Sequence, residues 1–264
     1  MTAWPCLDFH THVFPDRVAE QAVAALWEAY RAEPRGPATV AGLRAALDEA
    51  QVQQAVLCPV ATRPEQVGSI NRWVVAQDPE RFIPFGALHP ESEHTEDELA
   101  FLRDQGVRGV KLQPHFQGFA LESPALLRLF ERLEGFVVLL HGGQEIRPID
   151  FVPTTPERVR ALHERFPQQR LVIAHLGGYH MWQEVRDCLV GLPLHLDLSY
   201  TFGRLADETI AQIIAAHGPE RIVFGSDYPW MLPAETRAGL ARLELPEAQE
   251  REILAENAWR LLGR

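Results

Sequence analysis

The chain of 264 residues is long for an open single domain and matches a (β/α)8 barrel, which takes about 250 residues. Apolar residues make up 46% and charged residues 23%, which provides a large core and excludes wholesale disorder. The formal net charge is -11, from 36 acidic and 25 basic residues, and no run rich in lysine or arginine occurs. These charges argue against a nucleic-acid partner.

The cysteines and the amino terminus bear on the compartment. Cys6, Cys58 and Cys188 are odd in number, widely spaced and without a CxxC pair, which is typical of reduced thiols in a cytoplasmic protein. Residues 1–6 contain no basic region followed by an apolar stretch, and no apolar run approaches the roughly 18 residues of a membrane span. We therefore expect a cytoplasmic protein with neither a signal peptide nor a membrane partner.

Short apolar runs alternate with amphipathic segments in chain order. The first helix, 16–32, has apolar residues about every fourth position, and the short apolar runs are typical of buried parallel strands. The predicted strands are 7–12, 55–59, 82–88, 107–112, 136–140, 171–174, 194–198 and 222–224. The predicted helices are 16–32, 40–50, one ending over 71–77, 95–105, 123–133, 156–166, 234–243 and 247–262.

This alternation fits two α/β architectures, a closed barrel and a doubly wound sheet. A dinucleotide-binding sheet normally has a glycine-rich phosphate loop after its first strand, and none occurs here. No composition shift or repeat marks a domain boundary. The prediction is one domain over residues 1–264, a (β/α)8 TIM barrel.

The first predicted strand has a His-x-His pair, His10 and His12. Residues two apart in a strand point to the same face, roughly 6.6 Å apart, so two imidazoles can bind one metal ion. Zinc accepts imidazole nitrogen readily, but it requires three or four ligands. So short a motif also occurs in ordinary strands, and the pair alone does not define a site.

Further polar residues stand where the other predicted strands end, which is the active-site end of a barrel. They are His89, Lys111, His141, His175, Asp197 and Asp227. Burying so much polarity is costly unless a metal ion or substrate uses it. Two alternatives without a functional role remain open, in which His89 only caps its strand and Asp197 only hydrogen-bonds loop amides. His115, His180 and His195 are weaker candidates, and His94, His163 and His217 are predicted to face solvent on helices.

Five motifs together resemble the amidohydrolase superfamily, and more narrowly the amidohydrolase-related group that includes aminocarboxymuconate-semialdehyde decarboxylase. They are 8–15 (DFHTHVFP), 109–112 (GVKL), 141–143 (HGG), 175–178 (HLGG) and 225–229 (GSDYP), and 256–262 (ENAWRLL) is similar to the group's ending. The resemblance implies that His10, His12, His141 and Asp227 bind one divalent metal ion, for which we expect zinc. It also places His175 beside the metal-bound water.

The fourth strand departs from the group's pattern. Many relatives continue Lys-Leu-His-Pro, whereas this chain has Lys111-Leu112-Gln113-Pro114, which leaves any role of His115 open. Lysine at this position is carboxylated and bridges two metal ions in some members of the wider superfamily. A single metal ion is usual in the narrower group, and that is the expectation here.

Three functions follow. The first is a metal-dependent hydrolase of a small ester, amide or lactone, in which zinc lowers the pKa of water toward about 7, Asp227 accepts a proton and His175 orients the water. The second is a nonoxidative decarboxylase of a small unsaturated or aromatic acid at the same site, and the third a barrel that binds metal and ligand without chemistry. The expected partner is a small-molecule substrate, a homodimer is left open, and the candidate substrate contacts are Lys111, His89, Arg147 and Tyr200.

Overall fold

The computed structural model of the protein describes residues 5–264, so the part of the signal-peptide expectation that falls on residues 1–4 lies outside it. Every strand pairing within that range is parallel. The strands are β1 (Leu7–Thr11), β2 (Gln54–Leu57), β3 (Phe82–Pro84), β4 (Gly86–Ala87), β5 (Gly109–Leu112), β6 (Val137–Leu140), β7 (Arg170–Ile173), β8 (His195–Asp197) and β9 (Ile222–Val223).

Helices follow most strands, and three of them begin at side-chain caps, because Thr39, Ser123 and Thr155 each accept a backbone N–H of the first turn. The helices are α1 (Asp16–Tyr30), α2 (Val40–Glu49), α3 (Val67–Val75), α4 (Thr95–Asp104), α5 (Pro114–Gln117), α6 (Pro124–Phe130), α7 (Pro156–Arg165), α8 (Trp182–Cys188), α9 (Asp207–His217), α10 (Pro233–Arg242), α11 (Glu247–Arg251) and α12 (Asn257–Leu261). A π-helical segment, Glu252–Glu256, joins α11 to α12. Within residues 5–264, no helix has the length and apolar character needed to cross a membrane.

The predicted third strand is divided into β3 and β4 by Phe85. The Phe85 amide donates to the carbonyl of Leu57, and its ring packs edge-on against Phe9 at 5.5 Å. β3 pairs with β2 and β4 pairs with β5, so the divided strand joins a three-stranded sheet to a six-stranded one.

Backbone hydrogen bonds from Phe9 to Phe224 and from Asp227 to His10, both 2.8 Å, close the ring between β1 and β9. The predicted TIM barrel is confirmed, with β3 and β4 together forming one of its strands. Its interior is packed by strand side chains such as Phe9, Val56 and Leu139, together with Leu261 from α12.

Two solvent-exposure predictions were wrong. His163 and His217 are buried, whereas His94 is exposed as expected. His217 lies seven residues after Ile210 on the buried face of α9, and its Nε2 donates to the carbonyl of Leu194 at 2.9 Å. No helix bounds were predicted for α8 or for α9, although the i, i+3, i+4, i+7 spacing of the buried face of α9 is a usable signal.

His195, at the start of β8, makes stability depend on pH. Burial, followed by the charges of His217, Arg221 and Arg260, lowers its pKa from 6.5 to about 4. Because the folded protein then binds a proton less readily than the unfolded chain, stability is lost as the pH falls from about 6.5 toward 4. The loss attributable to this residue is about 2 kcal/mol at pH 5.

We expect His195→Gln, which cannot titrate, to lose less stability than the parent between pH 7 and pH 5. Urea unfolding at the two pH values gives the change in the free energy of unfolding for each protein. The contributions of the other histidines are the same in both proteins and cancel when the two changes are compared. An equal loss in both proteins would contradict the assignment.

Candidate active site

His10, His12 and Asp227 meet at the carboxyl end of the barrel. The Nε2 atoms of His10 and His12 are 3.0 Å apart, and the Asp227 Oδ1 atom is 3.4 Å from each. Their potential ligand atoms all lie within 4.8 Å of one another. Two imidazole nitrogens and an oxygen bound to one zinc ion are also separated by roughly 3.3 Å, so these spacings suit a single cation.

The turn after β9 holds Asp227 against β1. The buried Asp8 carboxylate accepts the amides of Ser226 at 2.9 Å and His10 at 3.1 Å, which ties the two strand ends together. Burial raises the pKa of Asp8 to about 7. Asp227 has φ 71°, a left-handed conformation that costs a non-glycine residue free energy. Asp8 is therefore a supporting residue of the site, and it was not among the residues predicted from the sequence.

The hydrogen bonds of the two histidines indicate their tautomers. His10 Nδ1 lies 2.8 Å from the Asp197 carboxylate, and His12 bonds the backbone of Cys58. With the hydrogen on each of those outer nitrogens, both Nε2 atoms present lone pairs to one another and to the Asp227 carboxylate. Three converging acceptors repel unless a cation lies between them, so the donor set fits a divalent metal ion.

Asp197, at the end of β8, does more than bond loop amides. In addition to His10 it accepts the backbone amides of His175 and Ser199, both at 2.9 Å. Burial raises the pKa of Asp197, but its interactions with His10, His175 and Ser199 together outweigh burial and hold that pKa below its usual value. The alternative that left Asp197 a purely local role was therefore wrong, because its carboxylate orients a candidate ligand.

Asp197→Asn should weaken divalent metal binding by about 10- to 100-fold, because the neutral amide no longer fixes the tautomer of His10. Competition with a chromophoric chelator measures the affinity. Urea unfolding of the metal-free variant separates this effect from a loss of folding. An affinity within twofold of the parent would contradict the orienting role.

His141 and His175 form a second pair beside the first. The His141 Nδ1 atom lies 3.1 Å from His175 Nε2, while His141 Nε2 faces the carbonyl of Gln144 and His175 Nδ1 faces that of Ser199. Because a carbonyl oxygen only accepts, each ring carries its hydrogen on the nitrogen that faces a carbonyl. The other two nitrogens, His141 Nδ1 and His175 Nε2, therefore present lone pairs to one another. His141 lies outside the three-residue group above, and its role as the fourth ligand stays a prediction.

Two further ionisable side chains are buried at the site. Lys111 donates from Nζ to His10 Nε2 at 2.9 Å, and burial lowers its pKa. Glu145, which was not predicted from the sequence, has its carboxylate 3.5 Å from His141 Nε2 and 3.2 Å from the Gln113 amide. Burial, followed by the charge of Asp227, raises the pKa of Glu145 to about 8. Lys111 thus places a buried amine beside the candidate ligands, and burial together with the charge of Asp227 disfavours the ionised form of Glu145.

The other predicted substrate contacts are scattered. His89 is buried and its Nδ1 accepts the amide of Glu91 at 3.2 Å, while Arg147 is exposed. Tyr200 is buried with φ 52°, and the Cζ atom of Arg204 lies 3.3 Å from its ring centroid. Only Tyr200 of these three is linked to the histidines, through Tyr179, whose ring centroid is 5.6 Å from that of Tyr200 and 6.1 Å from that of His175.

The chain belongs to the amidohydrolase family, whose sequence model matches residues 7–264. The resemblance to the amidohydrolases inferred from the motifs is confirmed by this match. No curated protein matches the chain by sequence.

Solved structures share the fold along the whole chain. An uncharacterised TIM-barrel protein from Bordetella bronchiseptica has a TM-score of 0.79 at 20% identity, covering 98% of this chain and 100% of that one. A 2,6-dihydroxybenzoate decarboxylase in complex with 2,6-dihydroxybenzoate has a TM-score of 0.72 at 19% identity, and the match covers 99% of this chain and 100% of that one. A dihydroxybenzoic acid decarboxylase from Polaromonas sp., with bound manganese and the inhibitor 2-nitroresorcinol, has a TM-score of 0.71 at 16% identity. The match covers 98% of this chain and 97% of that one. At these identities the likeness establishes the fold.

Proposed function

We propose that this protein is a metal-dependent nonoxidative decarboxylase of a small aromatic or unsaturated carboxylic acid. The observation that carries the proposal is the convergence of His10, His12 and Asp227 acceptors on one point at the carboxyl end of the barrel. Support for decarboxylation over the hydrolysis expected first comes from the similar structures, several of which are decarboxylases that cover nearly the whole chain. This choice concerns reaction type only, since both reactions use the same residues.

His10, His12 and Asp227 would hold the metal ion, with His141 as a fourth ligand. A divalent ion at this point supplies electrophilic polarisation of substrate oxygens. We leave its identity to the experiment, since zinc was the expectation from the ligand types and the Polaromonas enzyme contains manganese.

The protein residues then divide the remaining work. The Asp227 carboxylate, 13% exposed in its side chain, has a second oxygen with which to take up a proton and return it to the carbon that loses carbon dioxide. The bond to the carboxyl carbon breaks, its electron pair stays on the substrate carbon, and that carbon gains the proton. His175 is held by Ser199 and by its backbone bond to Asp197, and the lone pair on its Nε2 can accept a hydrogen bond from a substrate hydroxyl group or a water molecule and orient it.

The test is a pair of substrate panels given to protein loaded separately with Zn2+ or Mn2+. One panel contains aromatic and unsaturated carboxylic acids and is followed by carbon dioxide release, and the other contains lactones, esters and amides and is followed by acid release. We expect carbon dioxide and an equimolar decarboxylated product from the first panel. Acid release from the second panel without carbon dioxide from the first would favour the hydrolase and overturn the proposal.

A further inference from the structure

α1 is the least covered of the long helices. It is the longest helix in the described part of the chain, yet it buries only Ala19, whereas each of the other helices of eight or more residues buries at least two. Trp27 of α1 is 39% exposed, and within residues 5–264 only one other large apolar side chain is exposed. A barrel helix buries a whole apolar stripe against the strands, so α1 has apolar surface left over.

The exposed apolar surface belongs to a set of side chains along one flank of α1. Residues three or four positions apart lie on the same side of a helix, and six residues of α1 and its cap follow that spacing. The Cζ atom of Arg31, which caps the helix, lies 5.4 Å from the centroid of the Trp27 ring, so these two side chains share one side. We call the set the α1 stripe, and its members are Asp16, Glu20, Val23, Ala24, Trp27 and Arg31. All of them are exposed except Val23, which is half-buried.

The two ends of the α1 stripe carry opposite charges that the chain itself does not compensate. Neither Asp16 nor Arg31 makes an ion pair with any other residue between positions 5 and 264. They cannot pair with each other, because 15 residues of helix separate them by roughly 22 Å. The stripe is therefore acidic at its beginning, apolar in its middle and basic at its end.

A stripe with this charge order is complementary to a second copy of itself. When two copies lie antiparallel with a two-fold axis between Val23 and Ala24, Asp16 faces the partner's Arg31, and the symmetry makes this contact twice. The two small residues meet at the axis, where they allow close approach, and the Trp27 rings flank it. A parallel pair would instead place like charges together at both ends, so the charges select the antiparallel arrangement.

The stripe is already ordered in the single chain. The opposite side of α1 is fixed at its end, where the Tyr30 ring stacks on Phe116 of α5 with the centroids 4.5 Å apart. At the beginning of the helix, the amides of Val18 and Ala19 both donate to the carbonyl of Pro15. Because the helix does not have to form on contact with a partner, little conformational entropy is lost on association.

We propose that the α1 stripe is an interface between two copies of this chain, which pair antiparallel about a two-fold axis. The stripe is only roughly 22 Å long, which is short for a standard protein interface. The dimer is therefore a weak one, with a dissociation constant between about 1 and 100 µM. This inference is independent of the proposed function, because no residue of the stripe belongs to the candidate active site.

The test is sedimentation equilibrium of the metal-loaded, full-length protein from about 1 to 300 µM, a range that brackets the expected dissociation constant. We expect a monomer–dimer equilibrium in the parent. Asp16→Arg sets two arginines against each other at both ends of the interface and should weaken the dimer at least about tenfold. Arg31→Asp should do the same, and at φ 60° an aspartate is tolerated better than most residues. The double variant restores opposite charges and should return to within about threefold of the parent.

Glu28→Arg is the matched control, because it makes the same change of charge on the same helix at an exposed position outside the stripe. It should leave the dissociation constant within about threefold of the parent. Urea unfolding of each variant shows whether the barrel is still folded, and recovery in the double variant would exclude a folding defect as the cause of dissociation.

Three results would overturn the proposal. They are a parent that stays monomeric at the highest concentration, a dimer that Asp16→Arg does not weaken, and a double variant that dissociates as readily as the single ones. A monomeric parent that sediments with vesicles of phosphatidylserine and phosphatidylcholine would also overturn it, and would assign the stripe to a lipid surface instead.

Discussion

Asp227→Asn should lower the rate of carbon dioxide release by at least about 1000-fold while leaving the barrel folded. Proton transfer by a positioned side chain is worth about 100- to 10,000-fold, and the amide can neither take up a proton nor offer a negative charge. The amide keeps the shape of the carboxylate, and the backbone bond from residue 227 to the His10 carbonyl does not involve the side chain. Steady-state kinetics with the best acid of the panel measures the effect.

Metal content must be measured in the same samples, because Asp227 is also a proposed ligand. Asp150→Asn, which removes an exposed carboxylate from the loop after β6, is the matched control and should keep full activity. Activity of Asp227→Asn within fivefold of the parent at equal metal content would show that Asp227 has a structural role only.

His12→Ala should lose the metal before anything else. The substitution removes one of the three converging metal ligands. Because replacing a residue that only supports a ligand already lowers metal affinity about 10- to 100-fold, we expect the metal affinity to fall by at least about 100-fold. After dialysis against a weak chelator, the variant should retain less than about a tenth of an equivalent of metal and should release no carbon dioxide. Elemental analysis and the carbon dioxide assay together measure this.

The matched control is His94→Ala, whose histidine side chain is 79% exposed. It should keep the metal content and activity of the parent. A full equivalent of metal in His12→Ala would rule out His12 as a ligand, and the alternative would then be a site built around the His141 and His175 pair.

The barrel could be predicted because its signals are local. Buried parallel strands are continuous apolar runs, and the residues at their carboxyl ends must converge in any closed barrel. The division of the third strand at Phe85 was not predictable in this way, because it depends on hydrogen bonding to Leu57 in a neighbouring strand. The register shift between Asp8 and Thr11 has the same origin, since it follows from pairing with β2.

The supporting residues of the site were harder to predict than the candidate ligands. His10 and His12 are marked by their spacing in one strand, whereas Asp197 reaches His10 from 187 residues away. Glu145 lies in a loop, where no periodicity indicates which side chains turn inward. Asp197 and Ser199 do have one usable signal, because they alternate at the end of β8 like the two histidines of β1.

The most direct test of metal-dependent decarboxylation is a metal titration of activity on the metal-free protein, with carbon dioxide release followed as Zn2+ or Mn2+ is added. We expect no release without metal and a linear rise that ends at one equivalent per chain, with one solvent deuterium incorporated at the decarboxylated carbon in D2O. A rise that continues to two equivalents would contradict the single-ion site and indicate a second ion at Lys111. Carbon dioxide release that is independent of added metal would contradict the proposed function itself.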